Sequence, residues 1–209
     1  MPPEDLPTEA EVEARTRAIL GKVGLFRPTV RLLEVGGRKL VAKDYRACLA
    51  PYRWTVGRWN LVHEERALRR LTGIDGIPEL RGRIGRWILV MSWLRGRDLG
   101  KVRKYRQTPA FYDRLAEMVE EMHRRGVVHL DLRQRRNILF RPKVRSPAIL
   151  DFGSALCLRP GGTLHRLLAR IDRSGVLKYK DRARPGSLSE SEERALRRME
   201  RRRKLWPFS

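Results

Sequence analysis

The segment HLDLRQRRNILF, residues 129–140, decides how this sequence is interpreted, because it places polar residues within a run that otherwise has the composition of buried strands. A valine pair precedes the segment, and the apolar triplet Ile138–Phe140 ends it. Asp131 and Asn137 lie between these apolar stretches. A polar group that is buried without a partner destabilises the folded state, so we expect both side chains to have a chemical role.

Length and composition limit the possible classes of protein. The chain has 209 residues, of which 41% are hydrophobic, and this is enough for one compact domain or two small lobes. The two cysteines, Cys48 and Cys157, follow no metal-binding or disulfide spacing, and the acidic first residues differ from a signal peptide. The longest apolar run, Trp87–Leu94, is too short to span a bilayer. These features predict a soluble protein of the reducing cytoplasm.

The formal net charge of +23 is the largest compositional signal. It favours an anionic partner, such as nucleic acid, a phosphorylated lipid surface or a nucleotide. Of the 47 basic residues 38 are arginines, however, and a genome rich in arginine codons would give the same bias. Charge alone therefore leaves the partner open.

The first half of the chain is predicted to combine strands with helices. The expected elements are a helix from the capping-box residues Thr8–Glu11 to Leu20, strands at 29–35 and 38–45, a helix at 61–71, and strands at 77–84 and 87–94. The glycines at 36 and 37 supply the positive φ angles of a two-residue hairpin turn, so the strands that they join are expected to pair. Leucines at 61, 68 and 71 share one helical face.

The second half is predicted to be mainly helical. The Thr108–Pro109 pair provides an N-cap and a first-turn proline for a helix that ends before Gly126. Further helices are expected over Thr163–Ile171 and over residues 187–206, where acidic and basic residues are spaced four apart. We expect the boundary between the two parts near residues 92–100.

The chemistry of phosphoryl transfer accounts for the polar residues of the opening segment. Such a transfer needs a carboxylate that orients the proton of the nucleophile, an amide oxygen for a metal ion, and a second carboxylate for the metal that bridges the phosphates. Asp131, Asn137 and Asp151 supply these groups in that order. Asp151 directly follows the apolar strand Ala148–Leu150, which would deliver its carboxylate at the end of a buried element.

A cation for the phosphates is offered by the first half of the chain. Lys43 lies in the predicted strand 38–45 and carries an ammonium group. A glutamate of the following helix, Glu64 or alternatively Glu65, is expected to hold that ammonium in place.

Together these residues resemble the motifs of the protein-kinase-like superfamily. The matching motifs are VAK at 41–43, EERAL at 64–68, HLDL at 129–132 with Asn137, and DFG at 151–153. The resemblance covers roughly residues 20 to 155, and the compact chain looks most like bacterial lipopolysaccharide core kinases and RIO-type serine/threonine kinases. It implies an α+β, two-lobed fold in a single minimal kinase-like domain, with a sheet lobe at about 20–92 and a reduced helical lobe at 93–209 that ends in a basic helix.

The resemblance also implies ATP and Mg²⁺ as cofactors and assigns roles to particular residues. The implied set comprises catalytic Lys43, Glu64 and Asp131, nucleotide-binding Lys43, Met91, Leu94, Asn137 and Asp151, and metal-binding Asn137 and Asp151. Met91 would line the back of the adenine pocket, and the backbone of Leu94 would contact adenine.

The sequence departs from the kinase pattern in three places. Five residues separate Asp131 from Asn137, one more than in the usual loop, so a bulge is expected to restore the asparagine to the metal. No GxGxxG motif precedes the hairpin, and only Gly21 and Gly24 are placed to line the phosphates. No APE-like anchor follows Asp151, so regulation by phosphorylation of an activation loop is not expected.

Three functions are consistent with these residues. The first is ATP-dependent phosphorylation of a hydroxyl, either on a protein serine or threonine or on a sugar of the lipopolysaccharide core. The second is a catalytically inactive member of the fold that binds nucleic acid or another anionic partner. The third is a small-molecule phosphotransferase.

Two arginine-rich segments indicate which kinds of partner the chain would bind. Arg133, Arg135 and Arg136 either clamp an anionic acceptor or are simply solvated. The basic stretch Arg194–Lys204 suits either the inner face of a membrane or RNA. The expected location is the cytoplasm, with peripheral attachment to the inner membrane as an alternative.

Overall fold

The computed structural model describes residues 6–103 and 107–204 of the chain. The chain forms two compact units. Of the described residues, the first unit contains 6–95 together with Asp151–Ser154, and the second contains 96–103, 107–150 and 155–204.

The first unit is built on a five-stranded antiparallel sheet. Its elements are α1 (Glu11–Ala14), β1 (Thr16–Ile19), β2 (Thr29–Val35), β3 (Arg38–Asp44), α2 (Ala50–Tyr52), a π-helical turn (Arg53–Gly57), α3 (Arg58–Arg70), β4 (Leu80–Ile84) and β5 (Ile88–Ser92). The strand order is β1-β2-β3-β5-β4, so β3 is the central strand. The predicted strand pairs are both present.

The predicted N-terminal helix is wrong beyond its first turn. Glu11 accepts hydrogen bonds from both the backbone and the hydroxyl of Thr8, as the capping-box pattern predicts, but α1 ends at Ala14. The chain then pairs with β2 as the edge strand β1. A β-branched residue, Thr16, begins this strand and closes the helix by donating a hydrogen bond to the carbonyl of Val12 at 2.7 Å.

The β2–β3 hairpin fixes which side chains face the core of the first unit. Gly36 and Gly37 have φ angles of 54° and 72°, which glycine adopts without the steric cost of a β-carbon. Leu40 and Ala42 of β3 point into an apolar cluster, whose other buried members are Val12, Leu33, Ile84, Ile88 and Val90. Because strand side chains alternate, Val41 and Lys43 lie on the opposite face.

The second unit is mainly helical, as predicted. Its elements are β6 (Arg97–Asp98), α4 (Pro109–Arg124), β7 (Val127–Val128), β8 (Ile138–Arg141), β9 (Ser146–Ile149), β10 (Leu156–Cys157), α5 (Thr163–Ala183) and α6 (Glu190–Lys204). The strands form two small antiparallel sheets, β6-β8-β9 and β7-β10. Within the described ranges, no helix combines the length and the apolar character that crossing a bilayer requires.

The start of α4 follows its sequence signal, whereas the predicted end of α5 is wrong. The hydroxyl of Thr108 accepts a hydrogen bond from the backbone N–H of Phe111 at 3.3 Å and caps α4. Helix α5 continues to Ala183, twelve residues beyond the predicted Ile171. Helix α6 ends at Lys204, and the last two residues of the predicted helix lie outside the described residues.

Candidate active site

Lys43 is held between two carboxylates of the first unit. Its Nζ atom lies 2.7 and 2.8 Å from the two carboxylate oxygens of Glu64 and 2.7 Å from Oδ1 of Asp151. The backbone N–H of Phe152 donates a further hydrogen bond to Glu64 at 3.1 Å. Glu65, the alternative partner, instead pairs with Arg69 and Arg83. The structure therefore brings three of the sequence-predicted residues together, with Glu64 as the partner of the lysine.

The electrostatics of this cluster favour the charged ammonium. Burial disfavours the charge of Lys43, but the carboxylates of Glu64 and Asp151 more than offset that effect and raise the lysine pKa. Burial raises the pKa of Glu64, while the adjacent ammonium opposes the shift. Lys43 and the backbone N–H of Phe152 donate three hydrogen bonds to the Glu64 carboxylate, and these bonds stabilise its ionised form.

Local structure explains why these side chains meet. Lys43 lies on the central strand, opposite Leu89 of β5, on the sheet face away from the apolar cluster of Leu40 and Ala42. Glu64 occupies the same helical face as the buried Leu61 and Leu68, so a charged group lies where an apolar one is expected. The short 3-10 turn Phe152–Ser154 packs against α3.

The second unit places Asp131 beside Asn137. The Nδ2 group of Asn137 donates to the backbone carbonyl of Asp131 at 3.0 Å and to its carboxylate at 2.9 Å. Gln134 donates to the other carboxylate oxygen at 2.9 Å. Two successive turns, closed by hydrogen bonds from Gln134 N to Asp131 O and from Asn137 N to Gln134 O, accommodate the additional residue of this loop.

Asp172, which the sequence analysis missed, anchors this loop. Its fully buried carboxylate accepts hydrogen bonds from the backbone N–H groups of His129 at 2.7 Å and Leu130 at 2.8 Å. Nε2 of His123 lies 3.1 Å from the same carboxylate. Leu130 has a φ of 68°, a conformation that costs a leucine free energy, so the bonds to Asp172 hold the residue before Asp131 in a strained geometry.

The sequence contains a signal that could have identified Asp172. The residue lies on the same face of α5 as the buried residues Ala169, Val176 and Tyr179. A carboxylate in such a stripe must have partners, because an unpaired buried charge is strongly destabilising. The periodicity of α5 therefore indicates a structural carboxylate, although it does not identify the partner.

Helix α5 supports the loop at three further points. The hydroxyl of Tyr179 donates to the backbone carbonyl of Arg133, and Ser174 accepts a long hydrogen bond of 3.4 Å from the Arg133 guanidinium. A β-carbon added to Gly175 would lie 3.4 Å from the backbone of Leu132, so the helix and the loop are in close contact. These contacts position the backbone on both sides of Asp131.

Comparison with known proteins bears on the fold. Among solved structures, the chain is similar to the Rio2 kinase–ADP/Mg²⁺–phosphoaspartate complex from Chaetomium thermophilum, with a TM-score of 0.62 and 15% sequence identity over 90% of this chain and 63% of that chain. A crystal structure of the Rio2 kinase from the same organism gives a TM-score of 0.60 and 13% identity over 94% of this chain and 76% of that one. The chain has a protein-kinase-like fold. No family model and no curated protein sequence matches it.

The predicted α+β kinase-like fold class is thus confirmed, and at these identities the similarity concerns the fold alone. The chain spans slightly less than two thirds of the first Rio2 structure.

The kinase-like fold gives a context for the two predicted adenine-binding residues. Met91 is buried in β5 and pairs with Val41 of β3, on the sheet face that also carries Lys43. Leu94 follows β5 in an irregular segment and is half-buried. Their proposed contacts with adenine stay a prediction.

The donor atoms of the kinase-like motifs fit magnesium better than zinc. No group of three or more histidine, cysteine or acidic side chains forms a metal cluster within residues 6–103 and 107–204. Mg²⁺ does not need such a cluster, because it usually binds one or two carboxylates together with phosphates and water. Asp151 has a half-exposed carboxylate, and the two hydrogen bonds of Asn137 use Nδ2 rather than its oxygen.

Proposed function

We propose that this protein transfers the γ-phosphoryl group of ATP to a hydroxyl acceptor. The observation that carries the proposal is the Lys43 ammonium, which is buried, charged and fixed by Glu64 and Asp151. A preorganised cation of this kind stabilises the negative charge of the phosphates without reorganisation during the reaction. The Rio2 complex with ADP and Mg²⁺ supports the same ligands for a chain of this fold.

The two carboxylates around Lys43 have different roles in this proposal. Glu64 is buried and holds the ammonium, whereas Asp151 is half-exposed and is available to a metal ion. Bound at Asp151, with a second ion at Asn137, Mg²⁺ would neutralise the charge that develops on the phosphates. Met91 and Leu94 complete the nucleotide-binding set by contacting adenine.

Asp131 orients the acceptor hydroxyl. Its carboxylate is aimed by Gln134 and Asn137, and its backbone is held through the contacts of Asp172 with the two preceding residues. A positioned general base contributes about 10²- to 10⁴-fold to turnover. Loss of the Asp131 carboxylate is therefore expected to slow transfer by roughly that factor and to leave ATP binding largely intact.

The acceptor is proposed to be a serine or threonine of a protein, or a sugar of a lipopolysaccharide-type glycolipid. Both present a hydroxyl, and the loop around Asp131 serves either. Arg133, Arg135 and Arg136 are exposed beside Asp131, and they favour an acceptor that carries negative charge. A phosphorylated glycolipid at the inner face of the membrane meets that condition, and so does a phosphoprotein or a protein that is bound to RNA.

A catalytically inactive binding protein is the second candidate. The loop that contains Gly21 and Gly24 carries exposed Val23, Leu25 and Phe26 instead of a glycine-rich lid. This reduced lid favours binding without catalysis, whereas the joint presence of Lys43 and Asp131 favours the enzyme.

Incubation with [γ-³²P]ATP and Mg²⁺ tests the proposal. The protein is assayed alone, then with cell-envelope and cytosolic fractions, and labelled protein is separated from labelled lipid. We expect label in one of these acceptors, and a loss of about 10²- to 10⁴-fold in Asp131→Ala. Asp113→Ala, which removes an exposed carboxylate of α4, is the matched control and should retain full transfer. Absence of label in every fraction, or undiminished transfer by Asp131→Ala, would reject the enzyme and favour the binding protein.

A further inference from the structure

The first unit carries an unusual set of exposed aromatic rings along its helical segment. Trp54 is 48% exposed and Trp59 is 57% exposed, although tryptophan is normally well buried. The Trp59 ring stacks on His63 at a centroid distance of 3.9 Å and an angle of 22°, and Trp54 packs edge-on against Trp87 at 5.0 Å. The two tryptophans therefore form ordered platforms at the surface.

A backbone irregularity presents these rings to solvent. The chain forms a π-helical turn over Arg53–Gly57, between α2 and α3, and such turns occur frequently at functional sites. Gly57 is buried there, and a β-carbon added to it would lie 3.1 Å from the ring of Tyr45. The glycine lets the turn pack closely on the unit, while Trp54 and Val56 point outward.

A groove runs along the same surface. It has a volume of about 440 Å³ and is lined by Thr55, Arg58, Trp59, Val62, His63 and Arg66. A smaller pocket of about 80 Å³ shares Arg58 and Val62 with it and continues to Arg86 and Trp87. The two cavities thus form one continuous surface on α3 and the β4–β5 turn.

The charges on this surface are positive and largely uncompensated. Arg58 and Arg66 form no ion pair with any carboxylate of the described ranges, and the partly exposed Glu65 is already paired with Arg69 and Arg83. Arg86 lies 4.2 Å above the ring of Trp54, where a cation and an aromatic face attract each other.

We propose that this surface, formed by Trp54, Arg58, Trp59, Arg66 and Arg86, binds single-stranded nucleic acid. Bases stack on the exposed faces of the tryptophans, and the arginines pair with the phosphates of the backbone. Such binding tolerates any sequence, because every base has an aromatic face. The high net charge of the chain supplies the long-range attraction for an anionic polymer.

The arrangement favours nucleic acid over the other anionic partners. An acidic peptide would use the arginines but would gain little from ordered aromatic platforms. Insertion into a lipid surface needs a largely apolar face, whereas here Trp59 is stacked on His63 and the groove beside it is lined by Arg58 and Arg66.

Aromatic substitutions distinguish stacking from general apolar contact. Binding of a labelled single-stranded RNA of about 12 nucleotides is measured by fluorescence anisotropy. We expect Trp59→Leu to weaken binding about tenfold and Trp59→Phe, which keeps an aromatic face, to weaken it much less. Far-UV circular dichroism verifies the fold of both variants. Equal affinity in the wild type and the leucine variant, or an equal loss in both variants, overturns the proposal.

The dependence of RNA affinity on salt concentration tests whether the arginines contact phosphates. Each phosphate contact with a single strand contributes about −0.7 to the slope of log affinity against log salt concentration. Replacing Arg58, Arg66 and Arg86 by glutamine should therefore change the slope by about 2. A control variant replaces three exposed cations elsewhere, Arg38, Lys143 and Arg145, and should change it much less.

Two outcomes of these measurements contradict the assignment. Equal changes of slope in both triple variants would mean that only the net charge matters. Binding of phosphatidylglycerol vesicles that is stronger than RNA binding and survives in Trp59→Leu would assign the surface to a lipid. Either result is independent of phosphoryl transfer, which none of these substitutions is designed to alter.

Discussion

Removal of the Asp172 carboxylate tests how the loop around Asp131 is held. The carboxylate accepts two backbone hydrogen bonds, from His129 and Leu130, and contacts the ring of His123. A hydrogen bond to a charged group contributes about 1.5–3 kcal/mol, and each buried N–H left without an acceptor costs about 1–3 kcal/mol. These effects overlap, so we expect Asp172→Ala to lower the free energy of unfolding by about 3–5 kcal/mol.

Asp172→Asn should lower the free energy of unfolding about half as much as Asp172→Ala. The amide keeps one oxygen acceptor, but its NH₂ group then faces a backbone donor. Urea denaturation followed by circular dichroism gives the free energies, and hydrogen exchange at the amides of His129 and Leu130 locates the change. The released loop should also let Leu130 leave its positive φ angle and displace Asp131, so transfer should fall in both variants.

Asp113→Ala is the matched control for stability. The Asp113 carboxylate is 57% exposed and pairs with Lys180 at 3.2 Å, and exposed ion pairs contribute less than about 1 kcal/mol. If Asp172→Ala also cost less than about 1 kcal/mol, with slow exchange retained at His129 and Leu130, the anchoring role would be refuted.

Three further predictions concern Glu64 and Asp44 of the first unit and Arg145 of the second unit. Glu64→Gln should lower the free energy of unfolding by about 1–3 kcal/mol in urea denaturation, because it leaves Lys43 with one carboxylate. Burial raises the pKa of Asp44, but Arg46 and Arg31 more than offset this and lower it. The Asp44 contribution is then present above its unfolded pKa of about 3.9 and is lost as pH falls through the lower folded value, so the stability difference from Asp44→Asn should shrink at acid pH. Arg145 has a φ of 50°, so Arg145→Gly should raise the free energy of unfolding in urea denaturation by about 0.5–1 kcal/mol; a lower free energy would contradict the strain.

The sequence predicted correctly those elements whose geometry depends on residues adjacent in the chain. The glycine pair at 36 and 37 located the β2–β3 hairpin, and Thr108 located the start of α4. The end of α1 at Ala14 could not be predicted in this way. Its cause is the pairing of β1 with β2, which is a tertiary contact.

The start of α3 was also missed, because the π-helical turn has no distinct sequence signature. Arg53–Gly57 contains two β-branched residues and two bulky ones, yet it continues directly into α3. Gly57 in this turn packs closely against Tyr45, and that contact exists only in the folded unit.

The candidate site likewise contains residues that local sequence patterns indicate and residues that only the structure reveals. Motif order was enough to select Lys43, Asp131 and Asp151 as candidates, since each occurs in a recognisable local pattern. The choice between Glu64 and Glu65 needed the structure, because adjacent helical residues point about 100° apart and only one of them reaches the lysine. Asp172 was missed because its partners lie more than forty positions away along the chain.

Titration of the protein with ATP, followed by calorimetry in the presence and absence of Mg²⁺, tests the central claim most directly. The account predicts that the wild type binds ATP, that Mg²⁺ tightens binding, and that Asp151→Asn loses this enhancement by about tenfold or more. Lys43→Met should weaken ATP binding whether or not Mg²⁺ is present. An ATP affinity that is absent, or that is the same in the wild type and both variants, would contradict the account.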